Sequence, residues 1–210
     1  MAMTHSIEPI LHPINIKALR PTQMTLGIRE VDRKRAAWRE RKAQASGEFL
    51  GNHMIPAVLG PGKTFWLIDH HHLARALLDE GVEQVLVSVV AKLGHLPKKR
   101  FFAFMASHNW LHPYDVEGKP RDWDDLPRHV GKMADDPYRS LAGEVRIGGG
   151  YAKTETPYTE FLWADFFRDR IAPHKVSEQF EKSLTKALKL SRSKAAAYLP
   201  GFAGPQENGD

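Results

Sequence analysis

Residues 55–91 constrain the fold more than any other stretch, because their hydrophobic period changes from segment to segment. Ile55 to Leu59 is a short apolar run. Gly60-Pro61-Gly62-Lys63 then supplies the residue types that a tight turn requires. Thr64 to Ile68, rich in β-branched and aromatic residues, reads as a second strand. Leu73, Ala76 and Leu77 follow helical spacing behind Asp69 as a cap, and Gly81 stops that helix. Val85 to Ala91 is nearly all apolar and predicts a strand buried on both faces. Hairpin, helix and strand in that order predict an α/β (α+β) fold with a small mixed sheet.

Beyond this core the spacing is helical. Glu30 to Ser46 predicts a charged helix closed by Gly47, after a short strand at Ile14 to Ile16. Pro97 fits the first turn of a helix carrying Phe101, Phe102, Phe104 and Met105. Thr156 and Pro157 predict the start of another, with Trp163, Phe166, Phe167 and Ile171 at core spacing. Val176, Phe180, Leu184 and Leu188 step by fours along one basic amphipathic helix. The expected organisation is an α/β core over 1–95, a helical half over 96–200 and a loose tail over 201–210.

Composition removes several chemistries. The chain has no cysteine, which excludes disulfides, thiolate metal sites and a cysteine nucleophile. Zero cysteine and a first segment without an apolar signal core point to the cytoplasm, and no run suits a membrane. The net charge of +5 is concentrated: residues 29–42 hold seven basic residues against three acidic, and 175–194 hold six against two. Such runs suit anionic partners, nucleic acid among them, and equally suit solvated helix faces.

The strand-to-helix junction Asp69-His70-His71-His72 is the leading chemical candidate. A helix start presents backbone N–H groups and the positive end of the dipole, both of which favour phosphate. Histidines there add donors, and Asp69 can orient one of them or help to hold Mg²⁺. His108 and His112 have the i,i+4 spacing of two metal ligands, with Pro113 directly behind them. Gly148-Gly149-Gly150, followed by Lys153, is either a phosphate cradle or a flexible loop; it lacks P-loop spacing. Asp135 and Asp136 read either as a carboxylate pair for metal or base work or as a turn cap before Pro137, the cap being favoured.

The run His53-Met54-Ile55-Pro56-Ala57-Val58-Leu59, with Phe65-Trp66-Leu67-Ile68-Asp69-His70-His71-His72 and the upstream Ile16-Lys17-Ala18-Leu19-Arg20-Pro21-Thr22-Gln23, resembles the ParB/sulfiredoxin superfamily. The whole chain is similar to bacterial ParB-like nucleases. The resemblance implies a nucleotide-phosphate site at the junction, with ADP, ATP or CTP and Mg²⁺ as ligands and a small-molecule acceptor as second substrate. It implies roles for Asp69, His71, His72, Gln23 and Glu30 at the reacting centre. Asp69 would be the metal ligand, and His70, Trp110 and Lys153 would lie against the nucleotide.

The loop is also similar to the D-G-H-H-R loop of ADP-dependent free serine kinases, with His70 in place of the glycine and Leu73 in place of the arginine. Gln23 stands where that family has a catalytic glutamate, and a glutamine is no general base near neutral pH. Sulfiredoxin chemistry is excluded because it needs a cysteine. The expected function is phosphoryl transfer or nucleotide hydrolysis. The alternatives are a nuclease or DNA-binding protein and a non-catalytic ligand sensor.

Overall fold

A computed structural model describes residues 11–43 and 54–205. In chain order the strands and helices are β1 Leu11–Asn15, β2 Arg20–Pro21, β3 Thr25–Leu26, α1 Ile28–Ala43, β4 Ile55–Leu59, β5 Phe65–Leu67, α2 His71–Asp79, β6 Gln84–Lys92 and α3 Lys98–Ser107. There follow β7 Ala134–Asp135, α4 Pro137–Ile147, α5 Thr159–Arg168, α6 Pro173–Glu178 and α7 Phe180–Ser191. The fold is mixed α/β. Among the described residues no helix is long and apolar enough to cross a membrane.

The chain forms two compact units, which interleave in sequence. The first takes residues 1–24, 31–113 and 120–133, so it runs well past residue 95. Its five-stranded sheet has the order β1-β6-β4-β5-β2. β4 and β5 pair antiparallel, as the turn at 60–63 predicts, while β6 lies parallel to β4 and β2 parallel to β5. Trp66, Phe101, Phe102, Met105 and Leu126 form an aromatic core with Val58. Each such fully buried side chain contributes about 1.5–3 kcal/mol. Arg35 and Arg39 of α1 both donate to Glu80 beyond the end of α2, at 2.8 and 2.7 Å. Those hydrogen bonds hold the Glu80 carboxyl down to about 2.

The second unit takes residues 25–30, 114–119 and 134–210. Its core is Trp163, Phe166 and Phe167 of α5 against Leu141, Ala142 and Val145 of α4. Asp136 caps α4 by accepting from Tyr138 N–H, and Arg168 donates to it at 2.6 Å.

Several sequence expectations change. β6 is not buried on both faces: burial alternates along it and Val90 is 48% exposed. The charged helix starts at Ile28, and its expected stop at Gly47 lies outside the described residues. Thr156 and Pro157 stop short of α5, which begins at Thr159 with Tyr158 as its cap. The basic amphipathic stretch is two helices, broken at Gln179 (φ −134°, ψ 51°), where Ser183 Oγ takes up the Lys175 carbonyl at 2.8 Å. The tail is tied down at its start, since Phe202 bridges to Tyr151 and Gly201 accepts from Ala152 N–H.

Candidate functional site

The junction between β5 and α2 is built by a side chain that reaches back across the sequence. His71 is 3% exposed, and its Nε2 accepts from the backbone N–H of Thr22 at 3.3 Å. Thr22 in turn donates its hydroxyl to the Leu67 carbonyl at 2.7 Å. The end of β2 is thereby fastened to the end of β5 and the first turn of α2. Nε2 as acceptor places the ring proton on Nδ1. Burial first, then the neighbouring His72, pushes the His71 pKa down to about 3. His71 is therefore neutral, and its Nε2 is an acceptor rather than one of the donors expected there. His72 is also buried, at 8% exposure, so its ring is not part of an open surface.

The exposed members of the junction are Asp69 and His70. Asp69 does not cap the helix as expected. His70 is the residue before α2, in the left-handed conformation (φ 63°, ψ 28°), and no side chain caps the helix start. Asp69 Oδ1 accepts from His70 N–H at 2.6 Å. The left-handed turn explains why glycine suits this position in the similar loop, and histidine meets the same geometry at a cost. Leu73, at the place of the loop's arginine, is a core residue with 5% exposure. Arg75 is occupied by Asp79 and the Met133 carbonyl.

Gln23 lies next to the junction, half-buried and bridged to His112, whose N–H donates to Thr22 O. Trp110 is half-buried beyond it, its ring 4.9 Å from that of His108. Thus Gln23, Asp69, His70, His71, His72 and Trp110 belong to the first unit, whereas Glu30 and Lys153 belong to the second. The i,i+4 metal pair is not formed on one helix: α3 ends at Ser107, and His108 follows it, stacked on Phe104 at 4.0 Å. Among the described residues no cluster of three or more His, Asp or Glu side chains is arranged to hold a metal.

The glycine triplet is a helix stop. Gly149 N–H bonds to Arg146 O and Gly150 N–H to Val145 O, the paired bonds of a Schellman motif around a left-handed Gly149 (φ 75°). These amides are used up on the carbonyls of α4 and leave no phosphate cradle. A separate pocket, lined by Asn15, Lys17, Leu78, Gly81 and Val82, lies at the far end of α2 from the histidines.

The chain belongs to the ParB-like nuclease family: the family model described as "Putative ParB-like nuclease" matches residues 12–169. It is similar to the crystal structure of protein Atu1540 from Agrobacterium tumefaciens, with 48% identity, a TM-score of 0.88 and coverage of 94% of this chain and 98% of that one. No protein of curated function matches it.

Proposed function

We propose that this member of the family binds a nucleotide through a phosphate at the amino end of α2, as a phosphoryl-transferring or nucleotide-hydrolysing protein. The observation that carries this reading is the start of α2: no side chain caps it, no acidic residue lies in its first turn, and His71 locks it to β2 and β5. Such an end favours an anion through its dipole and its backbone donors. Asp69 would hold Mg²⁺ through Oδ2. A single carboxylate suits that ion, which is completed by waters and substrate phosphates. When bound, the ion supplies charge neutralisation at the phosphate.

The test is His70→Asp, assayed by calorimetric titration with ADP, ATP and CTP, with and without Mg²⁺. Aspartate tolerates the left-handed turn and sets a carboxylate at the helix entrance. The expected result is unchanged thermal stability and at least a tenfold loss of nucleotide affinity. Wild-type affinity in the variant, or no binding by the wild type, refutes the reading.

A second reading, phosphodiester cleavage or nucleic-acid binding, is supported by the family's description and by the exposed Lys99 and Arg100 at the start of α3.

A further inference from the structure

The carboxyl end of α2 is crowded with charge, and most of it is matched. Asp79 is paired with Arg75, and Glu80 with Arg35 and Arg39. Lys17 and Glu83 are the exception. Both are exposed, and neither side chain makes a hydrogen bond or an ion pair among the described residues. Yet the backbone fastens their neighbourhoods together. Ile16 N–H donates to the Glu83 carbonyl at 2.9 Å, and the Asn15 side chain accepts from Lys17 N–H at 2.9 Å. Both residues line one cavity of about 340 Å³, in which Ile16, Leu78 and Val82 supply the apolar wall. Every residue of this cavity belongs to the first unit.

Opposite charges that line one small cavity without meeting leave room for a ligand that meets both. Their signs select its chemistry. A phosphate or a simple carboxylate attracted by Lys17 is repelled by Glu83, and a simple cation attracted by Glu83 is repelled by Lys17. A zwitterion satisfies both. The helix adds to this preference: the last turn of α2 carries no basic residue, and the negative end of its dipole favours an ammonium group. The volume is at the low end of the roughly 300–1,000 Å³ of small-molecule sites, so the ligand is small. The apolar wall favours an apolar side chain on it.

We propose that this cavity binds a free α-amino acid with an apolar side chain. Its carboxylate would meet Lys17, its ammonium Glu83, and its side chain Leu78 and Val82. The site is at the opposite end of α2 from the phosphate reading and does not depend on it.

The experiment is calorimetric titration of wild type, Lys17→Gln and Glu83→Gln. The probes are leucine, leucinamide, which lacks the carboxylate, and N-acetylleucine, which lacks the ammonium. The wild type is expected to prefer leucine to either derivative at least tenfold. Lys17→Gln should erase the preference over leucinamide and keep that over N-acetylleucine. Glu83→Gln should do the reverse. Both side chains are exposed, so thermal unfolding of the variants should match that of the wild type. A wild type that saturates with none of leucine, methionine and phenylalanine overturns the proposal. So does a wild type that binds leucine and both derivatives equally, or a pair of variants that keep the wild-type preferences. Titration with ADP should be unchanged in both variants. A loss of ADP affinity with leucine binding intact would assign these charges to the nucleotide and overturn the amino-acid site. The amide resonances of Gly81 and Val82 should shift when leucine is added to the wild type, and unmoved signals refute the placement.

Discussion

His71 shows how a histidine in a helix's first turn can serve the fold rather than the chemistry. In an unfolded chain its imidazole titrates near 6.5, whereas in the fold it stays neutral down to about 3. Between those values the unfolded state binds more protons than the folded one. The contribution of this group is therefore fully present above about pH 6.5 and is lost as pH falls toward 3, at up to about 1.4 kcal/mol per pH unit. Denaturant unfolding of wild type and His71→Gln at pH 7, 5.5 and 4.5 checks it. The variant should be less stable at pH 7 and have a shallower acid slope. An identical slope would remove His71 as the source. The sequence presents this residue as part of a chemical cluster, and the structure buries it as a link between Thr22 and the first turn of α2. Its partner Thr22 is 49 positions away, and no local pattern reports such a bond. The exposed pair, Asp69 and His70, was equally hidden: the orientation of three consecutive histidines is decided by the left-handed turn at His70.

At the scale of elements, the Gly148-Gly149-Gly150 segment makes the same point with a measurable consequence. A Cβ at Gly150 would lie 2.4 Å from Val145 Cγ1 and 3.0 Å from the Val145 carbonyl oxygen. That backbone atom already accepts from Gly150 N–H and has no room to retreat. Gly150→Ala should destabilise the second unit by about 1–3 kcal/mol through overpacking, seen as a lower midpoint in thermal unfolding. Nucleotide titration should be unchanged, because the Asp69 junction belongs to the first unit. Full stability in the variant would show that α4 ends differently. β4, β5, α2 and β6 were legible as elements because each is an apolar run or helical stripe set off by turn signals, although the uniform apolar run of β6 hid its alternating burial. β2 is two residues long and exists only through pairing with β5, so its own composition carries no signal. The break at Gln179 was invisible for the opposite reason, since the apolar spacing of Val176, Phe180 and Leu184 runs straight through it.

At the scale of the whole molecule, the charge of +5 discriminates between the two functional readings only after its internal pairs are set aside. Within the basic run 29–42, Arg35 and Arg39 are bound to Glu80, and Arg29 lies over the Phe180 ring at 3.5 Å. In the later run, Lys186 and Arg192 donate to the backbone carbonyls of Arg170 and Gly149. Lys98 is paired with Asp124. Lys99 and Arg100 are exposed, and neither makes an ion pair among the described residues. A nuclease or DNA-binding protein would need such charges on the phosphate backbone, whereas a nucleotide enzyme would not. Each backbone contact adds about 0.9 to the slope of log affinity against log salt for duplex DNA. If nucleic acid is the substrate, replacing Lys99 and Arg100 by glutamine should reduce that slope by about 1.8 and leave nucleotide titration unchanged. Equilibrium binding of a short duplex between low and physiological salt measures it. An unaltered slope removes these two residues from the interface, and no binding even at low salt removes the nucleic-acid reading itself.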